Sequence, residues 1–201
     1  MGATVSPMPR PRSFATDDAV AGAMALFWRR GYATATPARL EAATGLGRSS
    51  LYNAFGSKHA LFLTALRRYV ATESARLSTV LDGPGTPLER LRDGLRLVAD
   101  AVAADAEGIG CLVTTTASEL AREDLEAAAI VAGLLTAQRT ALARAVAAGQ
   151  ASGELADDVD PATAADLLLT TTNGLRVLSR SGSPVADPRA VADLALHALE
   201  R

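Results

Sequence analysis

Arg48, Ser49, Tyr52 and Asn53 fall within six residues, at a spacing that places them on one face of a helical segment. Arginine pairs bidentately with guanine and asparagine with adenine. Hydroxyls near a helix N-terminus suit phosphate. Leu51 and Phe55 lie four residues apart and form the opposite, apolar face. That pattern predicts a helix held from behind and reading a nucleic acid in front. The same pattern also fits an inert helix, with Arg48 merely solvated and Tyr52 serving as a packing residue.

Other reactive residues are sparse. The chain of 201 residues has one cysteine, Cys111, and two histidines, His59 and His197. One cysteine excludes an intramolecular disulfide and a cysteine-rich zinc site, and the histidines lack metal-ligand spacing. Cys111 has only the two distant histidines as possible bases. Asp157, Asp158 and Asp160 read as a solvated turn, with Asp160 as a helix cap. No glycine-rich phosphate loop or paired carboxylate constellation is present. Neither an enzyme nor a cofactor nor a bound metal is expected.

The elements that must position these residues read at helical period throughout. Residues 1–15 are rich in proline and arginine and are expected to form a flexible basic arm. Thr16 is expected to cap a first helix ending at Gly31. Thr36-Pro37 opens a second, short helix that ends at Gly45. A third covers about 48–54, and a fourth begins near Ser57. Asp82-Gly83-Pro84-Gly85-Thr86 breaks the chain before a helix bearing Leu88, Leu91, Leu95, Val98 and Val102. Gly108-Ile109-Gly110 breaks it again. Further helices follow over about 111–121 and 124–152, and after Asp160-Pro161 and Asp187-Pro188. The expectation is an all-α fold of about nine helices, in which Thr44-Gly45-Leu46-Gly47 is the turn of a helix-turn-helix.

Charge divides the chain. The formal net charge is −2, but residues 1–70 hold nine Lys/Arg against three Asp/Glu, a net +6. Residues 71–201 carry a net −8. All eight aromatic residues lie before residue 70. A basic, aromatic module able to bind a polyanion is therefore joined to an acidic, aliphatic one. No apolar run approaches the ~18 residues of a membrane helix. The N-terminus has no hydrophobic leader, so a cytoplasmic protein is expected.

The stretch Gly31-Tyr32, Thr36, Gly45-Leu46, Leu51-Tyr52, Phe55 and Ser57-Lys58, followed by Ala60-Leu61-Phe62, resembles the DNA-binding domain of TetR-type transcriptional regulators. The resemblance implies a three-helix DNA-binding domain over residues 16–62 and a ligand-binding and dimerisation bundle over 63–201. It implies a homodimer that binds a double-stranded operator and is released by a small molecule, as a repressor. The alternative is an architectural DNA-binding protein without effector response. By position, the resemblance implies backbone contacts for Thr36, Ser50, Tyr52 and Lys58, and base contacts for Arg48, Ser49 and Asn53. Gly47 departs from the pattern, which often has a capping Ser or Thr there. Gly47 can offer only its backbone N–H.

In the second module, polar residues on apolar faces mark a candidate ligand cavity: Cys111, Thr115, Gln138 and Thr171, with Tyr69 reaching in from the fourth helix. Threonines bonded to their own helix are the alternative. A Gly-Cys opening a helix also resembles a TetR subgroup whose cysteine senses oxidants or electrophiles, and moderate thiol reactivity is expected. The competing reading is a small buried hydrophobe. Leu167, Leu168, Leu175, Leu178, Leu194 and Leu199 exceed what two end helices need internally. They are expected to form the dimer surface, with Gly174 allowing close helix approach.

Overall fold

Cap-and-proline pairs set where four of the helices begin. Thr36-Pro37, Thr86-Pro87, Asp160-Pro161 and Asp187-Pro188 each place an oxygen-bearing cap before a proline that needs no hydrogen bond at the first helical position. The computed structural model describes residues 12–183 and 185–200. Among them run nine α-helices: α1 (Arg12–Arg30), α2 (Pro37–Thr44), α3 (Arg48–Phe55), α4 (Lys58–Leu81), α5 (Pro87–Ala103), α6 (Leu112–Leu120), α7 (Leu125–Ala151), α8 (Pro161–Arg180) and α9 (Pro188–His197). An isolated antiparallel bridge, Leu155 to Glu200, is the β-type pairing present among the described residues.

The first helix departs from expectation. It starts at Arg12, so Thr16 is an interior residue rather than the cap. Nothing from Ser13 to Ala15 resists helix, and the turn can extend backward. Of the expected arm, residues 1–11 lie outside the described residues, Arg10 among them.

The chain divides into two compact units, one ending at Ala65 and one beginning at Leu66. In the first, Phe27, Leu40, Leu51, Leu61 and Phe62 are fully buried. The rings of Phe27 and Phe62 meet edge to face at 5.1 Å, and Tyr32 lies tilted on Phe62 at 4.8 Å. Gly22 lets α1 and α2 touch: a Cβ there would lie 2.0 Å from the Ala43 carbonyl oxygen.

The second unit is a helical bundle whose core draws on α4, α5, α7, α8 and α9, with Leu91, Leu95, Leu142, Leu168 and Leu196 among its buried residues. Arg96 and Asp193 join α5 to α9 through two hydrogen bonds of 2.9 and 3.0 Å, and Arg189 pairs with Asp100 across the same two helices.

This packing corrects part of the expected dimer surface. Leu168, Leu175 and Leu199 are buried within the subunit's own core, at 0%, 2% and 5% exposure. They are spent on intramolecular packing and cannot face a partner. On α8, positions 168 and 175 are one inward row, while 167, 171, 174 and 178 form another row turned away from it. Leu167 and Leu178 are 42% and 43% exposed, and Leu194 on α9 is 68% exposed. Val177 and Val191, absent from the sequence-based set, are exposed beside them. Apart from its chain neighbours and its own helix backbone, no atom of the described residues lies within 4 Å of where a Gly174 Cβ would sit.

Candidate nucleic-acid interface and buried polar cluster

The turn between α2 and α3 is built by its local chemistry. The Thr36 hydroxyl accepts from the Arg39 N–H at 3.4 Å and fixes the start of α2. Gly45 ends α2 at φ 68°, a left-handed conformation that glycine adopts without strain, and its N–H donates to the Glu41 carbonyl. Leu46 N–H donates to the Thr44 hydroxyl at 3.3 Å. Gly47 then caps α3 without a side-chain hydrogen bond. The first-turn N–H groups of α3 thus face outward with no capping side chain, where an anion can take them.

On α3, Leu51 is buried while Arg48, Ser49, Ser50 and Asn53 are exposed. Thr36 is exposed as well. Tyr52 and Phe55 are half-buried. Lys58, the first residue of α4, is half-buried, with its Nζ 4.3 Å from the centre of the Tyr32 ring. Burial lowers the Lys58 pKa from its ordinary value. The adjacent Ser57 hydroxyl accepts the Ala60 N–H and caps α4. Sequence reasoning missed Arg39. It is exposed, follows Thr36 by three residues, and donates from Nη1 to the Thr34 carbonyl at 2.7 Å, which bridges the loop before α2 to its first turn. Its one sequence signal was an arginine in the first turn of a helix already assigned to the phosphate backbone.

The second unit contains a polar cluster that the sequence foreshadowed only in part. Gly108 and Gly110 take φ 62° and 68°, which wraps the loop around Asp105. The Asp105 carboxylate accepts from the N–H groups of Ile109 and Gly110 at 2.9 and 2.7 Å. This wrap delivers Cys111 to the N-terminus of α6, where it is 1% exposed. The Tyr69 hydroxyl donates to Cys111 Sγ at 3.4 Å, and Arg176 Nη1 approaches the same sulfur at 3.7 Å. Burial first, then the neighbouring Cys111, raises the Tyr69 pKa well above the ordinary phenol value. Arg176 Nη2 donates to Glu73 Oε2 at 3.0 Å, with both side chains only 13% exposed. Arg76 Nη1 donates to the other oxygen, Oε1, at 3.2 Å.

Neither Arg176 nor Glu73 was singled out in the sequence. Each follows helical spacing into what reads as a wet face, and only their meeting across α4 and α8 makes them a pair. The other expected ligand residues separate. Gln138 is 8% exposed and lines a cavity of about 30 Å³ with Glu73, Arg76, Leu77, Leu97, Val98, Ala101 and Arg176. Thr115 bonds the Cys111 carbonyl and opens on a different groove, beside Ser118 and Val177. The Thr171 hydroxyl bonds back to the Leu167 carbonyl at 2.9 Å, the self-satisfied arrangement. Thr116, also missed, buries a hydroxyl with no hydrogen-bond partner. No group of three or more metal-ligating side chains occurs among the described residues.

Comparison with known proteins places these two units. Residues 19–65 match the family model for bacterial regulatory proteins of the tetR family. Residues 87–194 match the model for the tetracyclin repressor-like C-terminal domain. The chain is 27% identical over 189 residues to the HTH-type transcriptional repressor ComR of Escherichia coli (strain K12), covering 94% of this chain and 90% of ComR. Among solved structures, a cysteine mutant of the TetR family transcriptional regulator CifR, complexed with 26-base-pair operator DNA, is 33% identical with a TM-score of 0.81; the match covers 94% of this chain and 99% of that one. A TetR family regulator from Agrobacterium tumefaciens shares the fold at a TM-score of 0.84 and 23% identity, covering 96% of this chain and all of that one. The chain belongs to the tetR family of bacterial regulatory proteins and is a DNA-binding regulator of transcription.

Proposed function

We propose that Arg48, Ser49 and Asn53 read operator bases, that Thr36, Ser50, Tyr52 and Lys58 hold the DNA backbone, and that the protein is a homodimeric repressor released by a small molecule. The observation that carries this reading is α3 itself. Its exposed polar face sits on a helix pinned by Leu51, with an N-terminus that no side chain closes. A two-fold dimer presents two such helices about 34–36 Å apart, one turn of B-DNA. Leu167, Leu178 and Leu194, with Val177 and Val191, supply an apolar face for that dimer.

Release is a shift of population between two spacings of the reading helices. The lever is α4, which starts at Lys58 beside the reading helix and carries Glu73 further along. Glu73 is tied to Arg176 on α8, one of the two proposed dimer helices. A ligand that disturbs this tie acts on α4 directly. A cavity lined by Gln138, Glu73 and Arg176 favours an effector-responsive protein over an architectural one. In this reading the chain performs no catalysis and works in the cytoplasm. Among the described residues no helix is long and apolar enough to cross a membrane.

Selection of bound sequences from random duplex DNA, followed by titration of wild type and Arg48→Ala on the selected site, tests the assignment. Arg48→Ala should bind the site about 10- to 100-fold more weakly and bind unrelated duplex almost as wild type does. Equal affinity of the two proteins for the selected site would remove Arg48 from the base-reading set.

A further inference from the structure

We infer that Lys58 is an acylation site: its amine takes a short acyl group from an acyl phosphate, and the amide so formed no longer holds the DNA backbone. This rests on the backbone contact proposed above for Lys58 and adds a covalent way of losing it.

Composition supplies the first observation. Lys58 is the one lysine of the chain, against nineteen arginines. A guanidinium holds phosphate at least as well, but an amine is the cation that acylation neutralises. The single side-chain amine of the chain thus stands at the start of the helix that follows the reading helix. Its setting supplies the second. Lys58 is half-buried, with Nζ 4.3 Å from the centre of the Tyr32 ring, and that ring is itself packed on Phe62 at 4.8 Å. No carboxylate among the described residues holds the amine in its charged, unreactive form, and burial favours the neutral, nucleophilic one. The third is its place on α4. As the first residue of that helix, Lys58 sits where the helix dipole disfavours a cation. Losing the charge there breaks no ion pair, and the relief at the dipole offsets the lost contact with the ring. Acylation is therefore felt by the DNA and hardly by the fold.

The neutral Nζ attacks the carbonyl carbon of the acyl phosphate. The C–N bond forms, and the bond from that carbon to the phosphate oxygen breaks, its electron pair leaving with phosphate. The surplus proton on nitrogen passes to the phosphate or to water, and nothing is oxidised or reduced. An acyl phosphate suits this site better than a neutral thioester. Its leaving group is the anion that residues 1–70, with a net +6, attract in the DNA backbone.

The test uses the full-length protein, with acetyl phosphate as the donor and a neutral acetyl thioester for comparison, on native and urea-unfolded chains. Peptide mass spectrometry follows acetylation at Lys58. Anisotropy on the selected operator and on an unrelated duplex follows binding. With acetyl phosphate, Lys58 should react about threefold or more faster in the native protein than in the unfolded one, a gain that the thioester shows to a lesser degree. Excess operator should slow the native reaction about tenfold or more, because bound DNA covers the amine. The acetylated protein should bind both duplexes about tenfold more weakly, with its melting temperature little changed. Lys58→Arg keeps the charge and has no side-chain amine, so treatment with acetyl phosphate should leave its own affinity where it was. A loss there would assign the effect to the N-terminal amine and overturn the proposal. A native reaction no faster than the unfolded one, or an equal gain with both donors, also overturns it; weaker binding by Lys58→Ala then still upholds the backbone contact. Acetylation as expected, but with no protection by operator and with wild-type affinity in both the acetylated protein and Lys58→Ala, overturns the backbone contact and the acylation switch with it.

Discussion

Lys58 serves two partners. Its ammonium lies over the Tyr32 ring, a contact worth about 0.5–1 kcal/mol at such a site, and the proposed DNA backbone competes for the same charge. Lys58→Ala should therefore lower the melting temperature slightly. It should also weaken binding to all duplexes alike and reduce the slope of log affinity against log salt by about one. A salt titration on both the selected site and random DNA checks this. Cys111 makes the opposite case, because its environment closes it off. By its position Cys111 leads a helix, which predicts a moderately reactive thiol. The structure leaves that thiol 1% exposed beneath Tyr69 and Arg176. Maleimide should label the native protein at least about 100-fold more slowly than the denatured chain, since access requires local opening. Tyr69→Phe, which removes the hydroxyl on the sulfur, should speed native labelling without changing the denatured rate. Stopped-time labelling read by mass spectrometry measures both.

At the scale of elements, α1 and α2 depend on a missing side chain. Gly22→Ala puts a methyl group 2.0 Å from a backbone carbonyl that has nowhere to retreat. The two helices must part, at a cost of about 1–3 kcal/mol or more. Circular dichroism melting should drop markedly, and operator affinity should fall with it because α3 is braced by the same unit. The α5–α9 contact depends instead on charge. The hydrogen bonds from Arg96 hold the Asp193 carboxyl below its ordinary value, and Arg189 does the same for Asp100. A lowered native pKa means that the unfolded state takes up protons first as pH falls. The stabilisation is thus complete above the ordinary carboxylate value of about 3.9 and is lost as pH drops through the lowered native values. Both pairs are substantially exposed, so the effect is modest. Melting temperature against pH should decline below about pH 4, and Asp193→Asn should lower the plateau and flatten that decline.

The whole molecule adds assembly and field. A single reading helix pair contributes few phosphate and base contacts, and useful affinity comes from two half-sites held at fixed spacing. Leu194→Glu places a charge where the subunit has little packing to lose, Leu194 being 68% exposed, so helix content should persist while sedimentation velocity reports monomer. Operator affinity should then fall by a factor of 100 or more, because the second half-site no longer binds with the advantage of tethering. The division of +6 and −8 along the chain acts at this scale as well. The acidic residues beyond position 70 are repelled by the duplex that the basic ones attract, which favours encounters through the reading module.

Local chemistry, legible in one dimension, determined the element list, the glycine turn between α2 and α3, and the polar face of α3. Caps, prolines, left-handed glycines and the spacing of apolar residues all act within a few positions of themselves. The start of α1 escaped because Thr16 resembled a cap in a segment that helix tolerates on both sides. The leucines of α8 and α9 could be counted in the sequence but not assigned, since Leu167 and Leu168 are neighbours with opposite fates. Which of them meets the core depends on how α7 and α8 rotate against each other. The same holds for Glu73 and Arg176, 103 positions apart, whose pairing only the packed bundle creates. A residue's propensity is local, but its burial and its partner are properties of the helices that pack around it. The reading helix was therefore visible before the fold, and the ion pair of Glu73 with Arg176 beside Cys111 only after it.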